Sequence, residues 1–131
     1  MSLQGCEGIS QAKYFASSTA GSAFFYATDN AVHSFSYTSG QTTQENILQC
    51  ASGEVVTAMY QMPSGGFPTA GCVLWVATWK ESSKEGTLYE FEIDPTSGKI
   101  RTYWTDMFSP HLSNPHITKG FGKIKSMIIK A

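Results

Sequence analysis

Charge is what this chain has least of. Only 15% of its 131 residues are Asp, Glu, Lys or Arg, and the formal net charge is −1. No cluster of Lys and Arg interleaves with aromatics, so a phosphate backbone has no electrostatic footprint to bind, and nucleic acid is not an expected partner. Long apolar runs are missing as well. The longest, Cys72-Val73-Leu74-Trp75-Val76-Ala77-Thr78, falls far short of the roughly 20 residues that span a bilayer. No charged-then-apolar signal region opens the chain, which is expected to be soluble as it stands. Cysteine is scarce and odd in number: Cys6, Cys50 and Cys72 show no C-x-x-C spacing, so neither a zinc site nor a full disulfide framework follows. One bridge, Cys50 to Cys72, stays open beside the simpler reading of idle thiols that behave as small hydrophobes. Helical periodicity is absent too, with a turn at residues 108–112 as the one helical candidate.

Aromatic and apolar residues are plentiful, at 13% and 41%, as suits short strands packed face to face. The strand text is written twice. Phe24-Phe25-Tyr26-Ala27-Thr28, Val32-His33-Ser34-Phe35-Ser36-Tyr37 and Thr38-Ser39-Gly40-Gln41 return as Leu74-Trp75-Val76-Ala77-Thr78, Leu88-Tyr89-Glu90-Phe91-Glu92-Ile93 and Thr96-Ser97-Gly98-Lys99. A third match aligns residues 53–60 with residues 122–129. Repeats of roughly 40 to 50 residues holding four short strands are the signature of propeller blades, whose sheets bury their faces on one another. The expected fold is therefore all-β and propeller-like, a single domain over 1–131. It holds about two four-stranded antiparallel blades, one near residues 9–62 and one near 71–131. A compact sandwich is the competing arrangement. Two blades do not close a ring, so self-association through exposed blade edges is expected, or else a partial propeller cut from a longer protein. The abrupt Gly5-Cys6-Glu7-Gly8 opening after Met1-Ser2-Leu3, which reads as an expression leader, fits that second expectation.

Within the repeat, residues 9–16 read as a strand closed by a turn at 17–22, and Asp29-Asn30 reads as a hairpin pair. Residues 79–87 form an insertion in the second hairpin, expected as an exposed loop, and residues 62–71 form a Pro/Gly-rich one. Tyr89, Phe91 and Ile93 fall on one strand face. Glu90, Glu92 and Asp94 fall on the other, where solvation explains them more simply than paired acid and base groups would. Asp94-Pro95-Thr96-Ser97-Gly98 ends that strand with turn chemistry.

Chemistry is sparsely written. No Gly-x-Ser-x-Gly elbow and no phosphate-cradling loop occurs, and Ser64-Gly65-Gly66 sits in a linker. His33 is expected to be structural. His111 and His116 flank a proline loop and, with Asp106, have the donor types of a zinc site, though local hydrogen bonding is the commoner fate of loop histidines. Trp79, Tyr103 and Trp104 lie at predicted strand ends, where flat rings stack on sugars or anchor proteins; inter-blade packing uses the same residue types. The candidate ligand-binding residues are therefore Trp79, Tyr103, Trp104, His111 and His116, with no catalytic set, metal or cofactor expected.

Ala12-Lys13-Tyr14-Phe15-Ala16, the segment from Phe25 to Phe35, Leu88-Tyr89-Glu90-Phe91-Glu92-Ile93-Asp94 and Gly120-Phe121-Gly122-Lys123-Ile124 together resemble the C-terminal part of PKD-like surface lipoproteins from Bacteroidetes. The resemblance covers nearly the whole chain. It implies an exported, outer-membrane-associated or extracellular binding role, with a glycan or a protein as partner. Membrane contact would come only through a lipid anchor that this chain does not carry. The segment from Leu88 to Lys99 is also similar to lactonase-type propellers, which makes part of a lactonase-like or glycosidase-like enzyme the alternative reading. Neither family transfers a catalytic set.

Overall fold

Period-two alternation of bulky and small side chains, broken by Gly, Asp, Asn and Ser, dictates short antiparallel strands. The computed structural model describes residues 11–17, 23–38, 41–64, 71–94, 98–100 and 115–125. Among these the strands are β1 Tyr14–Ser17, β2 Ala23–Ala27, β3 Ala31–Thr38, β4 Gln41–Gln49, β5 Glu54–Ser64, β6 Gly71–Lys80, β7 Glu85–Ile93 and β8 His116–Phe121. They form two four-stranded antiparallel sheets in simple meander order, β1-β2-β3-β4 and β5-β6-β7-β8. The two text repeats land on equivalent strands, β2–β3 and β6–β7, the inner hairpin of each sheet.

Several boundaries differ from the sequence reading. The segment matched to the first unit, residues 53–60, pairs instead in the second sheet as β5. The first sheet is completed by β4, which the repeat did not reveal because its Gln- and Thr-rich text lacks apolar alternation. The break between sheets thus falls at residues 50–53, not near residue 62. At the other end the strand is β8, and residues 122–125 leave the ladder; 126–129 lie outside the described residues. β1 begins at Tyr14 and includes Ser17. β5 runs on through Met62 and Pro63 to Ser64. Proline is tolerated there because β5 is an edge strand, where a missing N–H costs least. The insertion at 79–87 is a tight turn at Glu81–Lys84 between continuous strands, rather than a long loop. Lys84 takes φ 53° to close it.

One hydrophobic core lies between the sheets. Phe25 and Ala27 of β2, Val32 of β3 and Ile47 of β4 meet Val56 of β5, Leu74 and Val76 of β6, and Phe91 and Ile93 of β7. Burying each large side chain stabilises the fold by about 1.5–3 kcal/mol. Ser34 and Ser36 share the inward face of β3, and the small side chain of Ser34 admits Gly98 beside it. Ser34 Oγ–H donates to the Gly98 carbonyl at 2.6 Å. Gly98 has φ +75°, and an added Cβ would come within 2.8 Å of Ser34 Oγ, so this close approach requires glycine. Cys50 is a free, buried thiol at the edge of the core.

Both faces of the sheets are covered, a result that half-buried alternation does not predict. Tyr26 and Phe35, on the face of the first sheet turned away from the second, are buried at 0% and 6% exposure. His33 stacks on Tyr26 with centroids 5.1 Å apart, and Gln44 Nε2–H donates to Tyr26 Oη at 2.7 Å. The acidic face of β7 is likewise not a solvated one: Glu92 is fully buried, and Glu90 and Asp94 are half-buried.

Candidate functional site

Of the five residues singled out by sequence, Tyr103, Trp104 and His111 lie outside the described residues, as does Asp106. Trp79 is the penultimate residue of β6 and half-buried; its Nε1–H donates to Glu81 Oε2 at 2.7 Å, so the indole braces the β6–β7 turn. His116 is not in a loop. It opens β8, half-buried, opposite Glu90. The ladder sets His116 beside Glu90 and Trp75, which places it two strands over and four residues along from Trp79. Four residues of rise and two strand spacings make about 16 Å, too far for one small ligand to touch both at close range. Among the described residues no group of three or more His, Cys, Asp or Glu is placed to hold a metal ion.

The structure instead gathers polar side chains where β5 begins. The Ser52-Gly53 turn, with Gly53 at φ +83°, drops Glu54 onto the inward face. Its carboxylate accepts from the Ala51 N–H at 3.0 Å, from Thr78 Oγ1–H at 2.5 Å and from Tyr89 Oη–H at 2.9 Å. Burial pushes the Glu54 carboxyl up, but the hydrogen bonds from Thr78, Ala51 and Tyr89, with the charge of Lys80, outweigh it. They hold the group below the usual carboxylate range. Burial, followed by the bond to Glu54 and its charge, pushes Tyr89 up to about 12. Burial and then the Glu54 charge push Cys50 up to about 12.

A pocket of ≈ 330 Å³ opens above this cluster, with Lys80, Glu85 and Lys119 around its mouth. General acid–base work near neutral pH needs a group poised there. The shifts move Glu54 down and Tyr89 and Cys50 up, away from neutral pH, and the cluster orders the sheet and shapes a polar hollow. The sequence held one cue to it: a turn pair followed at once by a lone acid in an otherwise apolar strand start, Ser52-Gly53-Glu54-Val55-Val56.

A second surface feature is apolar. Phe15 (62% exposed), Val55, Ile117 (47%) and Phe121 are the exposed large hydrophobics among the described residues, and every one lies on an edge strand: β1, β5 or β8. On β8, Ile117, Lys119 and Phe121 are all exposed; Ile117 and Lys119 share one face, and the register shift between Gly86 and Thr87 puts Phe121 out of step with them.

The chain matches no protein-family model, no curated protein and no solved structure.

Proposed function

We propose that this chain is a noncatalytic binding or scaffolding module, two consecutive blades of a propeller-like stack, that contacts protein through its sheet edges. Its place in an exported bacterial envelope protein rests on the sequence resemblance alone. Direction supports the stacked reading over a sandwich. Phe35 of the first copy turns away from the second sheet, whereas its equivalent Phe91 turns toward the first. Tyr26 and its equivalent Val76 do the same. Equivalent residues therefore point the same way, as in side-by-side repeats, and not toward each other as in a two-fold sandwich. The sheets also meet through their first strands, β1 against β5. The connector from β4 to β5 and the start of β5 are tied to the β2–β3 turn by Cys50 N–H to Asn30 O at 2.9 Å and Val56 N–H to Asp29 O at 2.8 Å.

The observation that carries the binding role is the edge strand β8 with its exposed Ile117 and Phe121. An edge presents backbone donors and acceptors to another strand, and its exposed apolar side chains supply the grip. A second copy can meet the same surface in two-fold, antiparallel fashion, because such a contact is self-complementary. Lysine at both positions, Ile117→Lys with Phe121→Lys, blunts an edge without touching the core. Sedimentation across a concentration series is expected to show dimers for the natural chain and monomers for the variant. A chain monomeric at every concentration, or a variant that still dimerises, defeats the β8 reading. The alternative of a lactonase-like or glycosidase-like enzyme has no observation in its favour among the described residues, where Glu54 is fully engaged by its three donors.

A further inference from the structure

We infer that the cleft between the start of β1 and the start of β5 is a binding site for an anionic saccharide unit, a sugar ring bearing a carboxylate or sulfate. The cleft measures ≈ 470 Å³ and lies between Lys13 and Tyr14 on one side, Asp29 above, Val55 and Thr57 on β5, and Lys123 and Lys125 after β8. Pockets that hold small molecules run from about 300 to 1,000 Å³. This site is distinct from both the Glu54 hollow and the β8 edge.

Three ammonium groups surround one hollow in a chain of net charge −1. Lys13 Nζ is paired with Asp29 Oδ1 at 2.7 Å; among the described residues Lys123 and Lys125 form no salt bridge, Lys123 feeling the Glu81 carboxylate only from a distance, and both are exposed. Like charges sharing a concave surface attract an anion that neutralises them. The rest of the lining says what else that anion carries. Asp29 repels a bare inorganic anion but accepts hydrogen bonds from hydroxyl groups. The ring of half-buried Tyr14 and the exposed methyls of Val55, 37% accessible, offer an apolar surface to the C–H face of a sugar. The floor is shaped by the backbone: the β5–β6 register shifts between Val56 and Ala58. That bulge leaves Thr57 out of the ladder, its hydroxyl donating to the Ala77 carbonyl at 3.3 Å. Cations for the acid group, an acceptor for hydroxyls and an apolar wall meet in one place, a combination that fits an acidic sugar better than phosphate, a neutral sugar or a nucleic-acid strand.

The test uses the whole chain at low ionic strength, titrated with digalacturonate, maltose and sodium sulfate while backbone amide shifts are followed by NMR. Digalacturonate is expected to saturate shifts at Asp29, Val55 and Lys123, and to bind more tightly than either maltose or sulfate. The double variant Lys123→Gln with Lys125→Gln, whose side chains are exposed and outside the core, is expected to stay folded by circular dichroism. Its affinity should fall about tenfold, the scale of two partly screened charge contacts. Maltose binding as tightly, sulfate binding as tightly, an unchanged affinity in the folded double variant, or no saturable shift with digalacturonate up to about 10 mM, a bound set by the weakest useful affinities, would each overturn the assignment. Both lysines lie outside β8, so loss of this site and loss of edge association are separately readable.

Discussion

The hairpins β2–β3 and β6–β7 carry the same strand text, yet their matching threonines do different things. Thr28 closes its own turn, Oγ1–H donating to Asn30 Oδ1 at 3.2 Å, whereas Thr78 reaches across the ladder to a buried carboxylate, Glu54, at 2.5 Å. The first two strands of the second sheet are longer: β5 and β6 have 11 and 10 residues where β1 and β2 have four and five. The extra length carries β5 past the level of the first hairpin's turn and gives room for an acid, a phenol and a hydroxyl to meet. A repeated sequence thus specifies repeated backbone, while polar chemistry arises where one copy outgrows the other.

Mutations sharpen that contrast in order of size. Phe25→Ala and Phe91→Ala, one from each sheet, remove buried rings of a shared core and are each expected to cost about 3–5 kcal/mol in urea denaturation. Because the core is common, each variant should unfold in one transition; separate transitions for the two sheets would break the picture of a single packed unit. Gly86→Ala comes next. An added Cβ runs into the Gly122 carbonyl oxygen and lies 2.8 Å from that of Phe121, so a loss of about 1–3 kcal/mol is expected, with no counterpart in the first hairpin.

Glu54→Gln is expected to cost about 1–3 kcal/mol at neutral pH, since it disturbs a buried, charge-assisted network. Its folded pKa lies below the ordinary value of 4.5, so the stability it contributes is present above that value and is lost as pH falls through the folded pKa. The variant should therefore show a shallower acid-induced loss of melting temperature between pH 5 and lower values than the natural chain, about a carboxylate's titration range. Equal slopes would argue that Glu54 is not the group linking pH to folding. Glu81→Gln should do least. Lys84, and then the Trp79 N–H, hold the Glu81 carboxyl low as well, but this group stands in open solvent, where screening and side-chain entropy cancel most of the gain. No measurable change in melting temperature is expected, and a large one would show that the β6–β7 turn depends on that pair.

The residues that were legible show why others were not. Asp29-Asn30 and the Asp94–Gly98 turn announce themselves because a turn is a local matter: Gly98 N–H bonds Asp94 O at 2.8 Å and Asp94 N–H bonds Lys99 O at 2.9 Å, all within a few residues. The Glu54 cluster joins residues 24 and 35 positions apart, a distance over which spacing carries no signal. His116 looked like a loop residue beside Pro115 because nothing local reveals that Glu90 offers it a strand to pair with.

What the amino-acid sequence determined by itself is the all-β character and the two inner hairpins, since period-two alternation and turn residues act through neighbours in the chain. Only the tertiary structure decided which sheet residues 53–60 join, that both sheet faces are buried, and that Lys13, Asp29, Val55 and Lys123 share one cleft. Edge-strand pairing and face-to-face packing are set by long-range burial and hydrogen-bond satisfaction, and those quantities have no value until the whole chain has closed on itself.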